Sequence, residues 1–264
     1  MILLITGGAG YIGSICVEEL LRQGHEVIVV DNLQEGHREA VPPESAFYEG
    51  NFGDRALLET IFQKHSIDGV IHFAADTRVE SSMIDPGQFF NNNVVNGIAL
   101  LDVMRKFGCN RMIFSSTAAI YGEPQYNPVD ENHSKLPVNP YGESKLMFEK
   151  ILDWYHRAYG LKFNALRYFN AAGASRTSAM DRGFLIWKWS KPWKLSQGKQ
   201  SLSNLHPEDS VIPRHWWHPR NWPTGNLAGI RKFTKLEEII ASAWEWHGKH
   251  PDGYTATLIE PKLN

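Results

Sequence analysis

Thr6-Gly7-Gly8-Ala9-Gly10-Tyr11-Ile12-Gly13 follows a short apolar run and precedes apolar residues at helical spacing that continue to about Gln23. This pattern predicts that the glycines lie at a turn from a buried strand into a helix. In such a turn Gly7 permits the tight bend, Gly10 lets the backbone approach a phosphate, and Gly13 lets the helix pack closely. Because a helix N-terminus offers free N–H groups to an anion, the stretch predicts a pyrophosphate site. Glycines that only close a turn are the alternative.

The second apolar run ends in a carboxylate that suits the other end of the same ligand. Residues 26–30 predict a strand, and Asp31 follows it about twenty residues after the glycine turn, where an acid accepts hydrogen bonds from an adenosine ribose. A 2′-phosphate would meet like charge at Asp31, and the nearby His37 and Arg38 do not remove that carboxylate. The sequence therefore favours NAD. A solvated acid at a strand end is the alternative.

The composition excludes several classes of partner. The chain has 264 residues, 42% of them hydrophobic and 21% charged, with a net charge of −2, which gives no reason to expect nucleic acid or an acidic membrane surface. Cys16 and Cys109 lack pairing or metal-ligand spacing, so we expect a reducing compartment and no metal. Met1 leads directly into the first strand, and no apolar run is long enough to cross a membrane. We therefore expect a cytoplasmic protein with no membrane partner.

Strand and helix patterns alternate along the first 170 residues. Near-continuous apolar strands separated by helices are typical of a parallel sheet covered on both faces, so we predict an α/β fold with a Rossmann-like, doubly wound sheet over residues 1–170. Ligand groups then gather at the carboxyl ends of the strands. The predicted elements after residue 31 are strands at Phe47–Gly50, Gly69–Phe73, Arg111–Ser115 and Phe163–Arg167, and helices at Arg55–His65 (capped by Asp54), about Phe89–Phe107 and about Tyr141–Tyr159.

Tyr141 and Lys145 have the spacing of an acid–base pair. Residues four apart lie on one face of a helix, so the Lys145 ammonium can stand beside the Tyr141 phenol and lower its pKa. Thr117 supplies a hydroxyl at the end of a strand, where it can bridge a substrate and the tyrosine. Tyr141 would then be a competent base for a sugar hydroxyl near neutral pH. Without such a third partner, an exposed tyrosine and lysine would be the better interpretation.

Other polar residues near the predicted strand ends are harder to assign. His72 is more simply interpreted as a hydrogen-bonded core histidine than as a catalytic group. The run Asn91-Asn92-Asn93 is either a loop or a set of amide contacts, and we expect Asn93 to face the site.

Seven motifs occur in the order that defines a known family: TGGAGYIG, the strand-end Asp31, HFAA, NNNV, FSSTAAIYGEP, NPYGESK and LRYFNAAGA. Together they resemble the extended short-chain dehydrogenase/reductase family, and within it the epimerases of UDP-hexoses, over residues 1 to about 175. The resemblance implies interconversion of UDP-glucose and UDP-galactose through a 4-keto intermediate with bound NAD. It also implies a UDP-sugar as partner and allows a homodimer.

The resemblance also implies a role for individual residues. Tyr141 would be the catalytic base and acid, with Lys145 as its partner and Thr117 as the hydroxyl; Thr117, Tyr141 and Asn170 would contact the substrate. Asn51 stands where the family usually has an aspartate, and Thr77 replaces a frequent lysine. The implied NAD contacts are Gly7, Gly10, Tyr11, Ile12, Gly13, Asp31, Asn32, Asn51, Phe52, Phe73, Ala74, Ala75, Asn93, Ser115, Tyr141, Lys145 and Tyr168.

The pattern changes in the last third, and we interpret residues 171–264 as an atypical, shortened substrate-binding region. Residues 177–226 show neither alternation nor helical spacing, whereas residues 232–254 resemble the family again and include a predicted helix from Phe233 to about His247. An internal loss with a scrambled or frame-shifted stretch between about Arg176 and Asn226 explains this best. A genuine replacement module is the alternative.

Two other functions remain open at this stage. If the uridine diphosphate has nowhere to dock, the chain would bind NAD with impaired or no catalysis. The chain could also be another nucleotide-sugar enzyme of the family, such as a 4,6-dehydratase. That enzyme needs an acid beside the active-site hydroxyl, and Ala118 and Ala119 follow Thr117 instead.

Overall fold

The protein forms a six-stranded, all-parallel sheet in a computed structural model that describes residues 1–126, 129–169 and 171. The strand order is β3-β2-β1-β4-β5-β6, so the Rossmann-like, doubly wound α/β fold is confirmed. The expectations for Asn170, for residues 177–226 and for the helix at 233–247 lie outside the described residues. The strands are β1 Ile2–Thr6, β2 Glu26–Asp31, β3 Ala46–Glu49, β4 Gly69–His72, β5 Arg111–Thr117 and β6 Lys162–Tyr168.

Helices cover both faces of this sheet, and alternate strand residues feed two separate apolar layers. Leu3 and Ile5 of β1 pack with Val17 on one face, while Leu4 packs with Leu100 and Phe148 on the other. Strands buried on both faces read as continuous apolar runs, which is why the sequence pattern predicted them well. The helices are α1 Tyr11–Arg22, α2 Arg55–Lys64, α3 Val79–Ile84, α4 Pro86–Phe90, α5 Asn96–Lys106 and α6 Pro140–Tyr159.

The helix predicted at Phe89–Phe107 is different in the structure. It begins three residues earlier, because Pro86 occupies the first turn and the Asp85 side chain accepts a hydrogen bond from Gln88 N. It is also interrupted by a π-helical turn over Asn91–Val95, and α5 continues from there. π-turns inside helices are frequent at functional sites, and this one lies against α6.

The two elements that carry the predicted acid–base residues are fixed at both ends. The Asn139 side chain caps α6 by accepting from Gly142 N at 2.8 Å, and Gly160 ends the helix in a left-handed conformation. β5 runs two residues further than predicted, and Thr117 pairs with Tyr168 of β6. The carboxyl ends of these two strands therefore lie beside the first turns of α6.

Within the described residues, no helix combines the length and the apolar character that crossing a membrane requires. In the same part of the chain, no cluster of three or more His, Cys, Asp or Glu residues could hold a metal ion.

Candidate functional site

An open cleft of about 390 Å³ runs along the carboxyl ends of the strands, within the size range of small-molecule and cofactor sites. Most of the residues predicted to contact a ligand line it. They are Gly7, Gly10, Tyr11, Ile12, Gly13, Asp31, Asn32, Phe52, Phe73, Ala74, Ala75, Ser115, Thr117, Tyr141, Lys145 and Tyr168.

Two glycines of the turn have no room for a side chain. Gly7 has φ of +73°, and a Cβ atom there would lie 2.5 Å from Ala74 N. A Cβ atom on Gly13 would lie 2.1 Å from Gly7 O, because the first turn of α1 packs directly on the turn. Both positions therefore require glycine.

The N-terminus of α1 opens into the cleft without a competing group. Gly10 is the N-cap, no side chain caps the helix, and the first turn contains no acid. The first turn of α1 thus presents its backbone N–H groups and the positive end of the helix dipole to the cleft. This is an anion site of the kind that holds a dinucleotide pyrophosphate, so the chain's own geometry fits that cofactor.

Asp31 stands at the end of β2 with its carboxylate held in place. Its Oδ2 atom accepts from Ala9 N and its Oδ1 atom accepts from Leu33 N, each at 2.9 Å. Burial raises the pKa of this carboxyl, and the two backbone hydrogen bonds oppose the rise. The Ala9 bond ties Asp31 to the glycine turn, so both ends of an adenosine diphosphate would meet one rigid unit.

Two of the predicted contact residues lie off the cleft. Asn51 lies at the surface, where its Oδ1 atom accepts from Gly53 N at 2.7 Å. Asn93 is buried in the π-turn, where it accepts from Asp76 N at 2.8 Å and donates to Ser144 Oγ at 3.0 Å. Its neighbour Asn92, which belongs to the same π-turn, lines the cleft instead.

Several lining residues were not predicted from the sequence. They come from the loops after β2, β3, β4 and β6, where no periodic pattern marks a facing side: Gln34, Glu35, Gly36, His37, Gly50, Asp76, Thr77, Phe169 and Ala171. Their position directly after the strands is the signal that could have found them, since ligands in such folds bind at the carboxyl ends.

Tyr141 and Lys145 line the same part of the cleft, but their electrostatics differ from the prediction. The Lys145 ammonium donates to Ser115 O at 2.9 Å and lies 4.8 Å from the centre of the Phe114 ring. Complete burial lowers its pKa to about 7. Burial raises the pKa of the Tyr141 phenol, and a hydrogen bond with Thr117 opposes the rise. Burial is thus the largest influence on the pKa of both side chains.

His72 has the structural role that the sequence favoured. Its Nδ1 atom lies 2.6 Å from Thr6 Oγ1, and its ring packs among those of Phe52, Phe114 and Phe148. Burial, followed by the charge of Lys145, lowers its pKa to about 3. The imidazole is therefore neutral at physiological pH, in keeping with its place in the apolar core.

A glycine turn at a helix N-terminus, a strand-end acid and a tyrosine–lysine helix face define a dinucleotide-dependent protein of the short-chain dehydrogenase/reductase class. The chain belongs to the NAD dependent epimerase/dehydratase family, which it matches over residues 3–202. The resemblance seen in the sequence is thereby confirmed, as is NAD as the cofactor of the family.

The curated relatives are epimerases. The chain is 52% identical over 174 residues to the UDP-glucose 4-epimerase of Lacticaseibacillus casei, an alignment that covers 66% of this chain and 53% of that protein. It is 51% identical over 329 aligned positions to the UDP-glucose 4-epimerase of Streptococcus mutans, covering 96% of this chain and 99% of that one. The second alignment is longer than the chain itself, so it crosses a gap.

The solved structures agree. The crystal structure of UDP-glucose 4-epimerase from Brucella ovis in complex with NAD superimposes with a TM-score of 0.64 at 44% identity, over 66% of this chain and 53% of that one. The chain therefore spans about half the length of several relatives that it matches.

Proposed function

We propose that this chain interconverts UDP-glucose and UDP-galactose by inverting the configuration at C4 of the sugar. The observation that carries this proposal is the meeting of Tyr141, Lys145 and Thr117 at one part of a cleft that also contains the glycine turn and Asp31. The curated relatives named above are UDP-glucose 4-epimerases, which favours the same reaction.

The side chains of the cleft suit a reversible proton transfer. Tyr141 would take the proton of the sugar 4-hydroxyl and return it after the ketone has turned its other face. Thr117 would hold that hydroxyl in line, since it already bonds the phenol. Lys145, held beside β5, would contact the nicotinamide ribose. NAD, when bound, supplies the hydride acceptor and donor at C4, and is regenerated.

A second candidate is an NAD-binding protein with impaired or no catalysis. The gap in the alignment with the Streptococcus mutans protein favours it, because an internal loss would remove part of the region that holds the uridine diphosphate. Binding energy from that remote nucleotide normally orients the sugar at the reacting centre. We propose residues 1–170 as the NAD-binding domain and residues 171–264 as the shortened substrate region.

Incubation with UDP-galactose tests the proposal. The expected product is UDP-glucose, detected by chromatography or NMR, without net consumption of NAD. A dehydrated 4-keto-6-deoxy product would replace the epimerase assignment with a dehydratase. Separate titrations with NAD and with UDP decide the second candidate: NAD binding without UDP binding supports it, and tight UDP binding excludes it.

We also propose that the partner of this chain is a second copy. Large apolar side chains on α3, on the π-turn and on α6 are exposed, namely Met83, Ile84, Val95, Met147 and Trp154, and these elements lie against one another. Sedimentation should give a dimer, and Trp154→Glu should weaken it.

Cys16 and Cys109 are both free thiols, which fits a reducing, cytoplasmic location.

A further inference from the structure

The face of α6 that carries Tyr141 and Lys145 has a third polar residue one turn further along, and the proposed chemistry does not use it. Glu149 follows Lys145 by four residues in α6, so the three side chains lie along one face. Only 9% of the Glu149 side chain is exposed. Burying a carboxylate costs folding free energy unless the group is paired and hydrogen-bonded. The partners of Glu149 therefore indicate its role.

Those partners come from both strands beside α6. Glu149 Oε1 accepts from Ser116 Oγ of β5 at 2.5 Å and from Arg167 Nε of β6 at 3.0 Å. Its Oε2 atom accepts from the second guanidinium nitrogen of Arg167 at 2.7 Å. Such a bidentate pair fixes orientation as well as distance. One carboxylate therefore joins three elements.

The strand residues of this cluster adjoin the residues that hold the acid–base pair, and Ser116 also lines the cleft. Ser116 lies between Ser115, whose carbonyl oxygen accepts from Lys145, and Thr117, which bonds Tyr141. Arg167 pairs in register with Ser116 and precedes Tyr168, which lines the cleft. A shift of α6 relative to β5 would change the Lys145–Ser115 and Tyr141–Thr117 contacts together.

The far end of the guanidinium is also held. Arg167 donates to the Tyr121 hydroxyl oxygen at 2.8 Å, and Tyr121 is buried at the end of the short 3₁₀ turn that follows Thr117. The cluster formed by Ser116, Tyr121, Glu149 and Arg167, here called the clamp, thus contacts the segments on both sides of Thr117.

We propose that Glu149 and Arg167 are positioning residues, which hold α6 against β5 and β6 so that Tyr141, Lys145 and Thr117 keep their places in the cleft. The assignment rests on the proposed acid–base function of those three residues. Displacement by about 1 Å in such a site can reduce turnover about 10²-fold, which is the scale of effect that the clamp would prevent.

The decisive variant is the double substitution Glu149→Leu/Arg167→Met, because it removes the clamp without leaving an unpaired buried charge. Replacing a buried ion pair by apolar residues of similar volume is often neutral for stability. The matched control is Glu59→Leu/Lys106→Met, which removes the 2.8 Å ion pair between α2 and α5 away from the cleft. Ser116→Ala is a milder variant that leaves the Glu149–Arg167 pair intact.

The first measurement uses the protein without cofactor or substrate. The protein is labelled with ¹³C at the ε-carbon of lysine, and the NMR signal of Lys145 reports its protonation as the pH is varied. The signal is assigned by its absence from the spectrum of Lys145→Met. In the double variant and in Ser116→Ala, looser packing admits water. The titration midpoint of Lys145 should therefore rise from its depressed wild-type value toward the ordinary value for lysine. The control variant should keep the wild-type midpoint.

The second measurement is turnover of UDP-galactose, where the double variant should lower kcat about 10- to 100-fold with little change in KM. The proposal is overturned if both clamp variants keep the wild-type titration midpoint of Lys145. It is also overturned if the fall in kcat across the variants is proportional to the fall in their melting temperature, Tm. If the double variant does not fold, Ser116→Ala decides by the same criterion. If wild-type protein has no epimerase activity, the proposed function fails while the NMR result still decides the clamp.

Discussion

The two ends of the cleft are built in different ways. At the β1–α1 end the ligand space is formed largely by the backbone of the glycine turn, where Gly7 and Gly13 have no room for side chains. At the α6 end it is formed by side chains whose protonation is changed by burial, above all Lys145 and Tyr141. The first end is suited to binding, with Asp31 as an acceptor for hydrogen bonds from a ribose. The second end can exchange protons but depends on exact packing.

The largest expected effect separates these two ends. Tyr141→Phe should reduce the epimerase rate by about 10²- to 10⁴-fold, since it removes general acid–base catalysis, while NAD affinity stays near the wild-type value. Tyr155→Phe is the matched control, because Tyr155 lies on the same helix but donates to Asp102, away from the cleft. Initial rates with UDP-galactose check the prediction, and an unaltered rate in Tyr141→Phe would contradict the assigned role.

A smaller effect is expected at the adenosine end. Asp31→Asn should weaken NAD binding by about 10- to 100-fold, on the scale of one hydrogen bond to a charged group. It should also improve the affinity for NADP relative to NAD, because a negative charge is lost. Fluorescence titration with both dinucleotides measures this. Glu49→Gln is the control, since Glu49 pairs with Asp31 in the sheet register but does not line the cleft. Equal losses in both variants would argue against a specific ribose contact.

A third effect is a pH dependence that burial of Lys145 imposes on stability. Its pKa is about 7 in the fold and about 10.4 in an unfolded chain, so the unfolded state binds more protons between these values. The free energy of unfolding of the cofactor-free protein should therefore rise with pH in that window, relative to Lys145→Met, by up to about 1.4 kcal/mol per pH unit.

Urea unfolding at several pH values between 7 and 10 measures the difference. Lys150→Met is the control, because Lys150 is exposed on the same helix. The stability of this variant should change with pH in parallel with that of wild type. If wild type loses stability relative to Lys145→Met as the pH rises, Lys145 is not desolvated as described.

The sequence predicted the backbone end of the cleft better than the side-chain end. The strand, the glycine turn and the first helix are adjacent in the chain, so local spacing is enough to place Gly7, Gly13 and Asp31 at one site. The π-turn gives no local signal, because its apolar spacing differs little from that of an α-helix, and Asn93 is buried within it, off the lining of the cleft.

The protonation of Lys145 and the clamp could not have been predicted from local patterns. The Lys145 pKa depends on burial beside Phe114 and Ser115, which lie about thirty positions earlier in the chain. The Glu149–Arg167 pair depends on the packing of α6 against β6. Both are tertiary contacts, and a single sequence contains no pattern that pairs those positions.

The most direct test is a calorimetric NAD titration of two variants side by side, Gly13→Ala and Tyr141→Phe. A Cβ atom at Gly13 would collide with Gly7 O and displace the first turn of α1, so Gly13→Ala should lose most of its NAD affinity. Tyr141→Phe keeps the ring and removes only the hydroxyl, so it should bind NAD nearly as wild type does. The account would be contradicted if Gly13→Ala bound NAD normally, or if Tyr141→Phe lost NAD to the same extent.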